Sequence, residues 1–269
     1  MEPLVTVGNL TKRYIRRHPG GSGEGVLALD GVSLVIFPGT TCAVVGESGS
    51  GKTSLALCLA CLERPTSGKI WLNGREVTLL DETEQRTIRP QAQMVFQDPV
   101  SSFNPRWRAQ EILTEPLVLQ GRFSQRECME RAATLLERVG LSLDLASRTA
   151  RELSGGQRQR LAIARALALE PKLLILDEAL SALDCSVQAH IANLLMELQA
   201  SLGLSYLFIT HDLAMAAHMA DEIVVLHRGR ITERGAAEKV LRHPQHEITR
   251  TLVAAMPRLS PGGLFSQEQ

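Results

Sequence analysis

The chain has 269 residues, 44% of them hydrophobic and 22% charged, and its 29 basic and 29 acidic side chains cancel. That length suits one large α/β domain with a lobe, or two small domains. Zero net charge excludes a global field that would gather nucleic acid or an anionic membrane surface.

No apolar run approaches the roughly 20 residues that span a bilayer, and the N-terminus lacks a charged-then-apolar signal pattern, so a cytoplasmic address is expected. Cys42, Cys58, Cys61, Cys128 and Cys185 form no even, loop-spaced framework, which argues against structural disulfides. Cys58 and Cys61 make a C-x-x-C, but it falls inside the apolar helix expected over 55–62, where packing is the better role.

Residues 4–10 and 26–37 read as strands, separated by a basic and then Gly-rich stretch, 16–25, expected as an exposed loop. Tyr14 stands just before that loop; its face can stack on a purine, and an ordinary surface tyrosine fits the local sequence equally well. Pro38-Gly39 turns the chain into the apolar run 41–45. Then come Gly46, Glu47, Ser48, Gly49, Ser50, Gly51, Lys52 and Thr53, a fit to G-x-x-x-x-G-K-[ST] between a strand and a helix. The glycines let successive N–H groups turn inward toward an anion, and the helix start adds its positive end. Lys52 offers a point charge to the β- and γ-phosphates, and the Thr53 hydroxyl is a hard oxygen ligand suited to Mg²⁺.

A turn at 65–68, a strand at 69–72 and the hairpin signal Asn73-Gly74 complete what reads as an antiparallel sheet laid against the start of a parallel one. Residues 81–89 are expected to be helical and 92–96 a strand ending at Gln97-Asp98-Pro99. From 107 to 138 the apolar positions recur at helical spacing, with breaks at Gly121 and Gly140. This predicts an inserted helical lobe of roughly 60 residues. Phe103 and Trp107, in and beside a turn-rich stretch, are expected to be exposed and suit either an interface anchor or packing of the lobe. The lobe closes on Leu153-Ser154-Gly155-Gly156-Gln157 and an amphipathic segment, 158–169, stopped by Pro171.

Residues 173–176 are apolar and run into Asp177 and Glu178, the pattern of a strand buried on both faces whose carboxyl end faces a ligand. Neighbours on a strand face opposite ways, so the two carboxylates are expected to have different tasks: Asp177 in a Mg²⁺ shell, Glu178 deprotonating an attacking water. A helix over 189–202 and a strand over 205–210 follow, and His211 at that strand's carboxyl end is placed to contact a γ-phosphate. Residues 222–226 and 229–233 form a closing strand pair and 238–242 a short helix; the tail from 257 is expected to fray.

The ordered set formed by 46–53, Gln97, 153–157, Asp177-Glu178, 181–184 and His211 resembles the ATP-binding cassette of ABC transporters over nearly the whole chain. The resemblance implies an α/β fold: a RecA-like P-loop NTPase core, an antiparallel β subdomain and an inserted helical subdomain at about 103–165, within one domain over 1–257 followed by a flexible tail. It implies ATP and Mg²⁺ as ligands, with Tyr14 stacking on adenine and Gln97 linking the metal and water to the helical lobe. Cassettes of this kind work as head-to-tail pairs, so Ser154, Gly155, Gly156 and Gln157 would complete the ATP site of a second ATPase subunit, identical or not. The stretch 96–106 and His243-Pro244 resemble the ATPase subunits of peptide and nickel importers. Ala179-Leu180, where Pro-Thr is usual, resembles the nickel and metallophore branch more. Two transmembrane permease subunits, an extracytoplasmic solute-binding protein and a place on the cytoplasmic face of the inner membrane follow from that resemblance; nucleic acid does not. Two other readings remain: a soluble cassette protein of DNA repair or ribosomes, against which the single neutral cassette argues, and a P-loop kinase, which has no use for 153–157.

Overall fold

The computed structural model describes residues 1–15, 25–98 and 100–256. The exposed loop expected at 16–25, apart from Gly25, the flexible tail expected from 257, and Pro99 lie outside the described residues.

The first sheet grows from β1 (Val5–Ile15) and β2 (Gly25–Ile36), which continue past β3 (Thr41–Val45) and α1 (Lys52–Leu59) to β4 (Ser67–Leu72) and β5 (Arg75–Glu76). Its order is β2-β1-β4-β5, and every pairing is antiparallel. Asn73 and Gly74 both take left-handed backbone, φ 51° and 78°, the twist that a two-residue hairpin needs. A capping box at Asp81 opens α2 (Glu82–Ile88), and the chain then enters the second sheet at β6 (Ala92–Val95).

Three helices follow as the lobe: α3 (Ala109–Gln120), α4 (Gln125–Arg138) and α5 (Gly155–Leu167). Gly121 ends α3 at φ 65°, and Ser124 starts α4 by a reciprocal cap with Glu127. Arg165 of α5 meets Glu115 of α3 at 2.6 Å and donates to the Ser102 carbonyl, which fastens the lobe to the segment leading in from Gln97. The remaining elements are β7 (Leu173–Asp177), α6 (Cys185–Leu202), β8 (Ser205–Thr210), α7 (Leu213–Met219), β9 (Glu222–His227), β10 (Arg230–Ala236), α8 (Ala237–Arg242) and α9 (Glu247–Ala254).

The second sheet runs β10-β9-β3-β8-β7-β6, parallel except for the β9–β10 hairpin. Both its faces are covered. Ala43 and Val45 of β3 pack toward the helical lobe with Leu176, Phe208 and Leu113, whereas Cys42 and Val44 pack toward α1 and the first sheet with Leu34, Leu55 and Leu207. This is why the strands read as unbroken apolar runs.

Three expectations change. The helix after the phosphate loop stops at Leu59, so Cys61 sits beyond it at φ 55°; burial pushes the Cys58 thiol up to about 12 and raises Cys61 too, in keeping with packing. Phe103 is 6% exposed, inside the core of the lobe beneath the Arg165 guanidinium, and Trp107 packs against the same cluster, so neither is a free interface anchor. Finally, α9 follows α8: Glu233 of β10 accepts the backbone N–H groups of Gln245 and His246, both at 2.9 Å, and so holds the turn that starts it.

Candidate active site

Loop 46–53 hangs between β3 and α1, at the carboxyl edge of the parallel sheet, and backbone presses on it from two sides. A Cβ on Gly46 would stand 2.1 Å from the Leu226 carbonyl oxygen, and one on Gly51, at φ 109°, 2.2 Å from that of Ala28. Only glycine fits where the loop passes that close. Gly51 caps α1 with no side-chain bond, which leaves the first N–H groups of the helix to a ligand. The Ser50 hydroxyl is buried with no hydrogen-bond partner among the described residues.

Lys52 is 5% exposed, and its ammonium donates to the carbonyls of Gly46 at 2.9 Å and Glu47 at 2.8 Å. Burial lowers its pKa, and the carboxylates of Glu178 and Asp177 work against that shift. Asp177, at the end of β7, is equally buried, and desolvation raises its pKa although the Thr53 hydroxyl, 3.4 Å from Oδ1, and Lys52 favour the charged form. Two hard oxygens, Thr53 Oγ1 and Asp177 Oδ1, thus face each other at the mouth of the loop with one carboxylate short of compensation. That donor set fits a divalent cation such as Mg²⁺, and the glycine-lined N–H groups fit a polyphosphate.

Glu178 and Asp177 do point to different surroundings, but not through strand alternation as expected. Strand β7 ends at Asp177, and Glu178 turns away in left-handed backbone, φ 47°. Its N–H still reaches the Ile209 carbonyl at 3.0 Å, and its own carbonyl accepts the Ser181 N–H and hydroxyl. The Glu178 carboxylate lies 3.7 Å from Nδ1 of His211, which follows β8 and is largely exposed. Gln97 is exposed just beyond the end of β6, the strand beside β7.

Tyr14 reaches this region through α1. Its hydroxyl donates to Glu63 at 2.6 Å and accepts the Ser54 hydroxyl at 3.3 Å, and the Lys12 ammonium stands 4.8 Å from the ring centroid. Burial and the Glu63 bond push the phenol up to about 12. Ser154 to Gln157 form a reciprocal cap at the start of α5: Gln157 N–H donates to the Ser154 hydroxyl and Ser154 N–H to the Gln157 side chain. A Cβ on Gly156 would stand 2.8 Å from Val187 of α6. Among the described residues no hydrogen bond or ion pair joins Ser154–Gln157 to 46–53. The chain therefore carries two helix starts, at Gly51 and Ser154, whose free N–H groups suit an anion, without a direct bond between them.

Sequence reading missed Glu63, the partner of Tyr14, and His227, whose Nδ1 lies 3.7 Å from the Glu47 carboxylate. Neither belongs to a local pattern, because each meets its partner only after distant strands have paired.

The ABC transporter family matches residues 29–181. The dipeptide transport ATP-binding protein DppF of Haemophilus influenzae is 44% identical over 96% of this chain and 80% of its own. DppF of Escherichia coli is 42% identical over 97% and 78%. Among solved structures, a dimeric ATP-binding cassette in a post-hydrolysis state, bound to ADP and phosphate, superposes with a TM-score of 0.76 at 31% identity over 87% of this chain and 98% of its own. A cassette of Clostridium perfringens that is part of an ABC transporter complex does so with 0.78 at 27% identity, over 90% and 92%.

Proposed function

The chain belongs to the ABC transporter family and is an ATPase, and we propose that it energises the uptake of short peptides through separate membrane subunits. The observation that carries the reading is the phosphate loop with its buried Lys52, facing Asp177 and Glu178 at the ends of a parallel sheet, while the capped helix start at Ser154 makes no hydrogen bond to that loop among the described residues. Peptides are preferred as the solute because the relatives carry dipeptide-transport names. The metal preference drawn from the Ala179-Leu180 resemblance is the less supported one, because these relatives carry peptide-transport names and none a nickel name.

In this reading Gly46, Glu47, Ser48, Gly49, Ser50 and Gly51 wrap the phosphates, and Lys52 leaves its two carbonyl partners for the β- and γ-phosphates. Thr53, Asp177 and Gln97 would hold Mg²⁺, which would supply positive charge to offset that of the phosphates. Glu178 takes the proton of the attacking water, and His211 contacts the γ-phosphate from the adjoining strand. Tyr14 stacks on adenine. Ser154, Gly155, Gly156 and Gln157 complete the site of a second cassette, so that ATP closes the pair and hydrolysis reopens it. The protein works at the cytoplasmic face of the inner membrane, with two permease subunits and an extracytoplasmic solute-binding protein.

The permease contact falls in the cleft between the end of α1, β6 and the lobe, lined by Leu62, Met94, Phe96, Pro116 and Arg165 with Phe103 as its floor. Phe96 is 37% exposed there, one residue before Gln97, so a helix seated in the cleft presses directly on the catalytic loop. Phe96→Asp should leave ATP affinity and melting temperature near normal while the protein no longer co-purifies with its permeases from detergent-solubilised membranes. Cells lacking the protein should lose dipeptide uptake. Recovery of the wild-type protein only with ribosomes or DNA, with peptide, nickel and metal–chelator uptake all intact, would overturn the importer reading.

A further inference from the structure

The phosphate loop follows a strand of one sheet and Tyr14 lies on the other; besides the Tyr14–Ser54 contact at α1, one hairpin tip ties the loop to the strand paired with that of Tyr14. At the tip of the β9–β10 hairpin the Gly229 N–H donates to the Ser50 carbonyl at 2.9 Å, while the Gly229 carbonyl accepts the Asp30 N–H of β2 at 2.8 Å. Gly229 has φ 79°, and a Cβ there would stand 2.9 Å from the Ala28 carbonyl oxygen, the same oxygen that abuts Gly51. Around this backbone contact two side-chain ties close. The Asp30 carboxylate meets the Arg230 guanidinium at 2.6 Å, and His227 Nδ1 lies 3.7 Å from the Glu47 carboxylate. Strand β2 in turn pairs with β1, Val26 opposite Tyr14 and Leu29 opposite Lys12. A covalently unrelated segment thus bridges the phosphate end of the site, Ser50, to the strand pair that holds Tyr14.

We propose that the 227–230 hairpin tip is a positioning element for the nucleotide, fixing the distance from Tyr14 to the phosphate loop, with Asp30 and Arg230 as the side chains that lock it. This rests on the reading of 46–53 and Tyr14 as the two ends of an ATP site. The physical basis is preorganisation: a ligand held at both ends binds tightest when the protein already spans its length, and slack between the two ends costs affinity only for a ligand that uses both. Adenine and triphosphate are the two ends of ATP, whereas inorganic tripolyphosphate has only one. Loosening the hairpin should therefore weaken ATP and leave tripolyphosphate alone.

Equilibrium titrations of the full chain with Mg²⁺–ATP and Mg²⁺–tripolyphosphate separate the outcomes. Asp30→Asn and Arg230→Gln should each weaken ATP about fivefold, the ceiling for an exposed ion pair, with tripolyphosphate affinity unchanged. The charge-swapped double variant Asp30→Arg with Arg230→Asp should restore ATP binding to within about twofold of wild type. In the assembled transporter the single variants should raise KM for ATP at constant kcat. Equal loss of ATP and tripolyphosphate binding, a lowered melting temperature with no change in the ATP-to-tripolyphosphate ratio, or failure of the swapped pair to recover would overturn the proposal. A wild-type chain that binds neither ligand would instead overturn the ATP-site reading on which it rests.

Discussion

Replacing Glu178 by Gln tests the assignment of the base with little disturbance of structure. The substitution keeps size and polarity, and among the described residues the hydrogen bonds that place residue 178 are made by its backbone, N–H to the Ile209 carbonyl and carbonyl to the Ser181 N–H and hydroxyl, with the His211 ring 3.7 Å from its carboxylate. What it removes is a proton acceptor and one negative charge beside the phosphates. Losing a positioned general base lowers turnover by about 10²- to 10⁴-fold, about 3–5 kcal/mol in the barrier, while ATP should bind as well as before or better. A companion variant uses the left-handed backbone at φ 47°. A side chain there costs about 1–2 kcal/mol, which Glu178→Gly relieves, less about 0.5–1 kcal/mol for the added freedom of the unfolded chain. The glycine variant should thus be as inactive as the glutamine one yet about 0.5–1 kcal/mol more stable. Phosphate release by the assembled transporter at saturating ATP, equilibrium ATP binding and denaturant unfolding measure the three quantities. Turnover of the Gln variant within fivefold of wild type would remove Glu178 from the base role, and inactivation by His211→Ala alone would move that role to the histidine.

Phe103→Ala should destabilise the lobe by about 3–5 kcal/mol, the cost of a cavity in a packed site, seen as a lower unfolding midpoint and faster hydrogen exchange in α3 and α5; an unchanged midpoint would return Phe103 to the surface. Glu233 gives an acid-dependence: burial pushes its carboxyl up, but the N–H groups of Gln245 and His246 hold it below the usual range. A depressed folded pKa contributes stability that is present above the ordinary carboxylate range and is lost as pH falls through the folded value. Glu233→Gln should remove that acid sensitivity of α9, read by hydrogen exchange between neutral pH and pH 3, and equal sensitivity in both proteins would refute the clamp.

Elements whose cause is local were legible in the residues. The strand at 41–45 and the strand at 205–210 stand where the apolar runs put them, because a strand covered on both faces shows an uninterrupted run, and the loop 46–53 announces itself through glycines needed by its own backbone. The break at Gly121 and the cap at Ser124 likewise follow from single residues and their immediate neighbours. Phe103 misled because a turn-rich stretch reads as surface, whereas the lobe folds back over it and Arg165 covers the ring. Helix α9 escaped because its start combines an uncommon local cap, the Ile248 N–H donating to His246 Nδ1, with a hold from Glu233, thirteen residues upstream of His246.

By itself, then, the sequence determined the motifs, their order and the alternation of strand and helix, since each depends on contacts within a few residues. The tertiary structure alone decided which strands became neighbours, β3 between β8 and β9 and β7 between β6 and β8, and hence that Asp177 faces Thr53 across 124 positions of chain. It also decided that Glu178 leaves its strand left-handed, that Tyr14 leans on Glu63, and that Gly229 joins Ser50 to Asp30. Each of these needs two segments that meet only when the sheets assemble, and backbone pairing across such distances leaves no periodic trace in the residues it joins.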